Sequence, residues 1–79
     1  MKLRVLASGD ADGRFSLLAL LVDGHPASGD VLVDEEMGAQ YEVEARRPIR
    51  GPAGERRAVV LVKPLDGDTL PEEGATLTA

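Results

Sequence analysis

Turn-forming residues punctuate this chain about every ten residues, and that spacing limits what it can build. The clusters are SGDADG (8–13), DGHPASGD (23–30), MG (37–38), RGPAGE (50–55), PLDGD (64–68) and PEEG (71–74). Short segments at this interval suit the strands of an all-β barrel or sandwich. The segments between the turns agree. YEVEARR alternates, with Tyr41, Val43 and Ala45 on one side and Glu42, Glu44 and Arg46 on the other, the pattern of a half-buried strand. KLRVLA likewise sets Leu3, Val5 and Ala7 on one side. AVVLV (58–62) is β-branched and bounded by turns, as a central strand would be. VLV (31–33) and ATLT (75–78) are shorter. RFSLLALLV (14–22) is ambiguous, because leucine and alanine favour helix and Gly24 could cap one. Nine residues make a short helix but an ordinary strand, and both neighbours read as strands, so a strand is expected. Being apolar on both faces, it belongs in the middle of a sheet or at a barrel corner.

The chain has 79 residues, enough for a single domain, 1–79. A domain of this size buries only about 60–65% of the surface its unfolded chain exposes, so the core is thin. Phe15 and Tyr41 are the only aromatic residues, and the core must be aliphatic. The absence of cysteine removes disulfides and thiolate chemistry, and fits a reducing compartment. With 43% apolar and 29% charged residues, the chain is too hydrophobic to be disordered. The net charge of −5 disfavours generic binding to nucleic acid or anionic membrane. LLALLV (17–22), the longest apolar run, is too short to span a bilayer, and MKLRVLASGDADG lacks the apolar core of a signal peptide. A cytoplasmic protein with no membrane partner is expected.

Few residues offer chemistry. His25 is the only histidine, with Asp23, Ser28 and Asp30 nearby in sequence, and a triad can be drawn on paper. A histidine beside Gly24 and Pro26 reads better as an exposed turn residue. One histidine and no cysteine make no zinc site. DADG (10–13) resembles the start of a calcium loop, but the twelfth position, where that loop needs a glutamate, is Leu21. DEE (34–36) reads as a solvated acidic tip. No catalytic residue, metal or cofactor is expected, and the protein is read as a non-enzyme. The arginines are more informative. Arg46, Arg47, Arg50, Arg56 and Arg57 are five of the nine basic residues, and Glu55 is the only acid among them; the rest of the chain carries 4 basic and 13 acidic residues. If 41–47 and 56–62 pair around GPAG, these arginines gather at one end of the molecule. Guanidinium groups suit carboxylates and phosphates. The alternative is that they pair internally with Glu42, Glu44 and neighbouring acids.

Three motifs, in order, resemble the second-domain β-barrel of the translational GTPases of the elongation factor Tu kind. GHPASGDVLV is similar to that family's G-x-hydrophobic-x-x-G-D-x-hydrophobic element, on Gly24, Gly29, Asp30 and Leu32. PAGERRAVVLV is similar to its A-G-[D/E] turn and following strand, on Ala53, Gly54 and Glu55. LDGDTLPEEGATL is similar to its closing element, on Gly74 and Leu77. Pro26 stands where the family has a hydrophobic residue, and Ala19 where it often has glycine. The resemblance implies a closed six-stranded barrel with Greek-key connections. No G-x-x-x-x-G-K-[S/T] occurs, so it implies no GTP chemistry. Two roles follow. The first is a binding module whose arginine hairpin meets an acidic protein or a phosphate-bearing partner. The second is an RNA- or ribosome-associated accessory factor, which the net charge disfavours. Self-association of so small a barrel is a further possibility.

Overall fold

The computed structural model describes residues 1–79 apart from Asp12, and of Ala11 the backbone alone. The strands are β1 (Lys2–Ala11), β2 (Arg14–Asp23), β3 (Val31–Asp34), β4 (Gln40–Arg50), β5 (Arg56–Pro64) and β6 (Thr76–Thr78). All pairings are antiparallel. They close a six-stranded barrel in the order β1-β2-β5-β4-β3-β6, and no described residue is helical. β3, β4 and β5 are successive neighbours, while β2 lies beside β5, so the 24–30 connection makes the Greek-key crossing. The expected all-β fold is the observed one. The calcium-loop reading of 10–13 includes Asp12, which lies outside the described residues.

RFSLLALLV is a strand because its neighbours give it partners on both edges, β1 on one and β5 on the other. Tertiary pairing outweighs the helical preference of its leucines. Leu17 and Ala19 point into the barrel and are fully buried. They meet Leu3 and Val5 of β1, Ala58, Val60 and Val62 of β5, Tyr41 and Val43 of β4, Leu32 of β3 and Leu77 of β6 in one aliphatic core. Tyr41 is the largest of these side chains, and its hydroxyl donates to the Thr69 carbonyl at 3.1 Å.

Two β-bulges change the faces that simple alternation assigns. In β1 the register shifts between Val5 and Ala7, and in β4 between Val43 and Ala45. The extra residue, Leu6 or Glu44, advances the chain by one without a partner, which turns the following side chains over. Ala7 and Ala45, expected on the core side, are therefore exposed. DEE needs a correction too. Asp34 is buried at 4% exposure, and its Oδ1 accepts the Glu36 and Met37 N–H groups at 2.9 and 3.2 Å, closing the β3–β4 turn. Only Glu35 and Glu36 are exposed.

The 24–30 connection is built as its residues dictate. Gly24 and Gly29 adopt φ of 68° and 94°, which a side chain would oppose. Pro26 is buried, so it fills an apolar role between the two glycines. Asp30 accepts the Ala27 N–H through Oδ2 at 2.9 Å. The Val43 N–H then donates to the Asp30 carbonyl and the Gly29 N–H to the Val43 carbonyl, each at 2.8 Å, carrying the sheet past the start of β3.

Candidate interaction site

The β4–β5 hairpin is where the arginines lie. Its tip is Gly51–Glu55: the Gly54 N–H donates to the Gly51 carbonyl and the Gly51 N–H to the Glu55 carbonyl, both at 2.9 Å. Pro52 stands at the second turn position and Gly54 takes φ of 82°, the arrangement of a three-residue hairpin loop with a glycine bulge. Arg50 faces Arg56 across the strands, Ile49 faces Arg57, and Pro48 faces Ala58. The structure thus brings all five arginines to one hairpin.

The bulge at Glu44 divides them between two faces. Cross-strand partners share a face. Ala58 and Val60 point inward, so their partners Pro48 and Arg46 do too, and Arg50 with Arg56 continues that row. By the same register Arg47, Ile49 and Arg57 face outward, and near the hairpin tip Ile49 and Arg57 also border the cleft. The inner row runs beyond the packed core, and there it lines a cleft of ≈ 380 Å³ with Leu21, His25 and Gly54. Arg56 spans the cleft, with Nη2 donating to the Gly24 carbonyl at 2.7 Å. Pro48, Ile49 and Leu21 give the cleft an apolar floor that the sequence reading did not include. A signal for Pro48 existed: proline within a strand marks an edge, since it cannot donate to a ladder.

That edge is real. Gly51 bonds to β5, so by alternation the backbone groups of Arg46, Pro48 and Arg50 point away from it. β3 pairs with β4 only over Gln40–Glu42, and no strand among the described residues pairs with the outer edge of Arg46–Arg50. The barrel is closed, yet closure leaves this short edge unpaired among the described residues. Pro48 and the arginines blunt the remaining one.

The ion pairs are sparse. Arg57 Nη2 meets Glu55 Oε1 at 2.6 Å, while Arg57 Nε is buried beside Gly51 without a hydrogen-bond partner. Glu55 also accepts the Ala53 N–H at 3.0 Å. Its carboxyl is held below the usual range, first by its own backbone N–H and then by the Arg57 charge, against the opposing effect of desolvation. Among the described residues, Arg46, Arg47 and Arg50 have no carboxylate within 4.0 Å. No arginine of the hairpin pairs with Glu42 or Glu44 among the described residues.

His25 is exposed on the cleft rim. Two of the three groups near it in sequence are engaged elsewhere, Asp30 on the Ala27 N–H and the Ser28 hydroxyl on the Glu44 carbonyl at 3.0 Å, and among the described residues Asp23 makes no hydrogen bond to it. The described residues contain no cluster of His, Cys, Asp or Glu able to hold a metal ion. Away from the hairpin, a groove of ≈ 520 Å³ lies between the 34–39 turn and the 66–75 connection, with Asp34, Glu36, Asp66, Glu72 and Glu73 on its walls and no basic residue. The surface charge is thus segregated. Among the described residues no helix is long and apolar enough to cross a membrane. No family model, curated protein or solved structure matches the chain.

Proposed function

We propose that the protein is a non-catalytic, cytoplasmic interaction module whose β4–β5 hairpin receives an acidic or phosphate-bearing partner. One observation carries this reading. Arg50 stands directly opposite Arg56 with Arg46 in the same row, and neither Arg46 nor Arg50 has a carboxylate within 4.0 Å among the described residues. Like charges placed directly opposite on a sheet destabilise it. An external anion relieves that repulsion and gains charge-assisted hydrogen bonds. The test uses inorganic tripolyphosphate and a glutamate-rich peptide, titrated at low salt and followed by amide chemical shifts. Shifts are expected at 46–50 and 56–57, with binding at least tenfold weaker in Arg46→Ala/Arg50→Ala. Shifts scattered over the barrel, or unchanged affinity in the variant, would count against the reading.

A second reading follows from the resemblance to the translation-factor barrel: an RNA- or ribosome-associated accessory factor. Its support is that a closed six-stranded barrel carries the three matching turns at the entry to β3, at the β4–β5 tip and before β6. RNA binding through the hairpin weakens steeply with salt. A gel-shift series that shows no RNA complex even at low salt eliminates it.

A further inference from the structure

The outer face of β1, β2, β5 and β4 holds a second feature, which meets the cleft at Arg57. Leu18 stands between Ala7 and Val59, Leu20 between Arg4 and Arg57, and Leu61 beside Ser16 and Ala45. All of these point away from the barrel core. Leu18, Leu20, Val59 and Leu61 are only half-buried, and they lie side by side on the two central strands. A strand that is apolar on both faces is normally covered on both. Here the core covers one face, and among the described residues no strand packs on the other, where these four side chains keep partial exposure.

The rim of this patch is basic. Arg4, Arg47 and Arg57 border it towards the hairpin, and Arg14 and Lys63 border it at the opposite side. Two acids stand in this border, Glu42 directly across from Lys63 and Glu55 paired with Arg57, which leaves Arg4, Arg14 and Arg47 as its remaining cations. Of the other four basic residues, Arg46, Arg50 and Arg56 line the cleft, while Asp34, Glu36, Asp66, Glu72 and Glu73 line the separate groove beside the 34–39 turn. An apolar centre with a charged rim is the anatomy of a protein–protein contact.

The rim chemistry selects the partner. A second copy placed face to face by a two-fold axis would set basic rim against basic rim. RNA would find no aromatic platform here and would leave the four aliphatic side chains uncovered. An anionic bilayer is disfavoured by the net charge of −5 and by the lack of an interfacial aromatic residue on this face. We infer that this sheet face docks a folded protein whose own contact has an apolar centre and a carboxylate rim. The inference rests on the interaction-module reading and narrows its partner from any anion to an acidic protein. The four aliphatic side chains span about 10 Å by 15 Å, and with the charged rim the face covers about 20 Å by 20 Å, from strand spacing and rise. That is about 400 Å², half of a standard contact, so the complex is of the transient class and draws the hairpin arginines into its margin.

The experiment places a photo-crosslinking residue at Leu18 or Leu61 of the full chain in its native cells. Thr78, on the far side of the barrel, serves as the control position. The expected result is one acidic protein captured from both patch positions and not from Thr78. Purified, it should bind the wild-type chain and lose at least tenfold in affinity with Leu18→Glu. Because Leu18→Glu can perturb the fold, Arg14→Glu/Arg47→Glu provides an independent variant that leaves the apolar centre intact; the same loss is expected. Capture of a second copy or of RNA overturns the proposal, and so does the absence of patch-specific capture. Sedimentation with phosphatidylserine vesicles that depends on the rim arginines overturns it in favour of a membrane. If Arg46→Ala/Arg50→Ala abolishes partner binding while both patch variants retain it, the face is excluded and the cleft reading stands. If the patch variants fail to bind and the cleft variant binds normally, the cleft reading falls instead.

Discussion

Tyr41 shows how much one side chain carries in a core of this size. It is the only aromatic residue that is fully buried, and its hydroxyl ties β4 to the 65–75 connection through Thr69. Burial raises its phenol above the ordinary value, and the charges of Asp34 and Asp66 add to the effect. A raised value means that the folded state holds the phenolic proton more tightly than the unfolded chain does. The associated stability is complete below the unfolded value of about 10 and is lost as pH rises through the folded one. Tyr41→Phe should cost about 1 kcal/mol at neutral pH for the lost hydrogen bond. It should also remove the phenol's part of the alkaline loss. Urea unfolding of both chains at neutral pH and near pH 11 measures each effect.

Among the elements, the β4–β5 hairpin depends on two glycines for different reasons. Gly54 needs its positive φ, whereas Gly51 needs the absence of a side chain, because a methyl group there would overlap the Glu55 carboxylate and Arg57 Nε. Gly51→Ala should therefore separate Arg57 from Glu55 and destabilise by about 1 kcal/mol, the ordinary scale for a local defect. Gly54→Ala should cost about 1–2 kcal/mol through backbone strain. Thermal melts of the two variants check both figures.

The elements were largely legible in the sequence because turn chemistry is local. Gly29-Asp30 and Ala53-Gly54-Glu55 announce their turns, and the strands fill the space between. The faces were less legible. Neither Leu6 nor Glu44 is a residue that marks a bulge, yet each reverses the alternation after it. Simple alternation would send Ala45, Arg47 and Ile49 inward; the structure sends Arg46, Pro48 and Arg50 there. The gathering of the arginines on one hairpin was readable, while their division between a cleft and an outer face was not. The outer patch was hidden for a related reason. Runs such as SLLALLV and AVVLV read as core, and the sequence does not say that the barrel is a single layer with a core on one side only.

On the scale of the whole molecule, the ring is closed by its shortest strand. β6 has three residues, pairing with β1 over three positions and with β3 over two. β2 and β5, by contrast, share six paired positions, and each has a second long partner. Local opening starts where the fewest bonds must break. Amide hydrogens in Thr76–Thr78 and Val33 are expected to exchange well before those in Leu17–Ala19 and Ala58–Val60, as hydrogen-exchange NMR can measure.

The segregation of charge has a practical meaning for how this protein behaves outside the cell. A sequence pI of about 4.7 directs a purification to an anion exchanger. Adsorption to a resin, however, responds to the local field and not to the sum of charges, because at about 0.15 M salt the field of each group fades within about 8 Å. Near neutral pH at about 0.1 M salt, where that length is about 10 Å, the chain should be retarded on a sulfonate column, hairpin end first, despite its net charge of −5. The variant Arg46→Ala/Arg47→Ala/Arg50→Ala should pass straight through. A wild-type chain that also passes unretarded would show that the acidic surfaces dominate at every orientation.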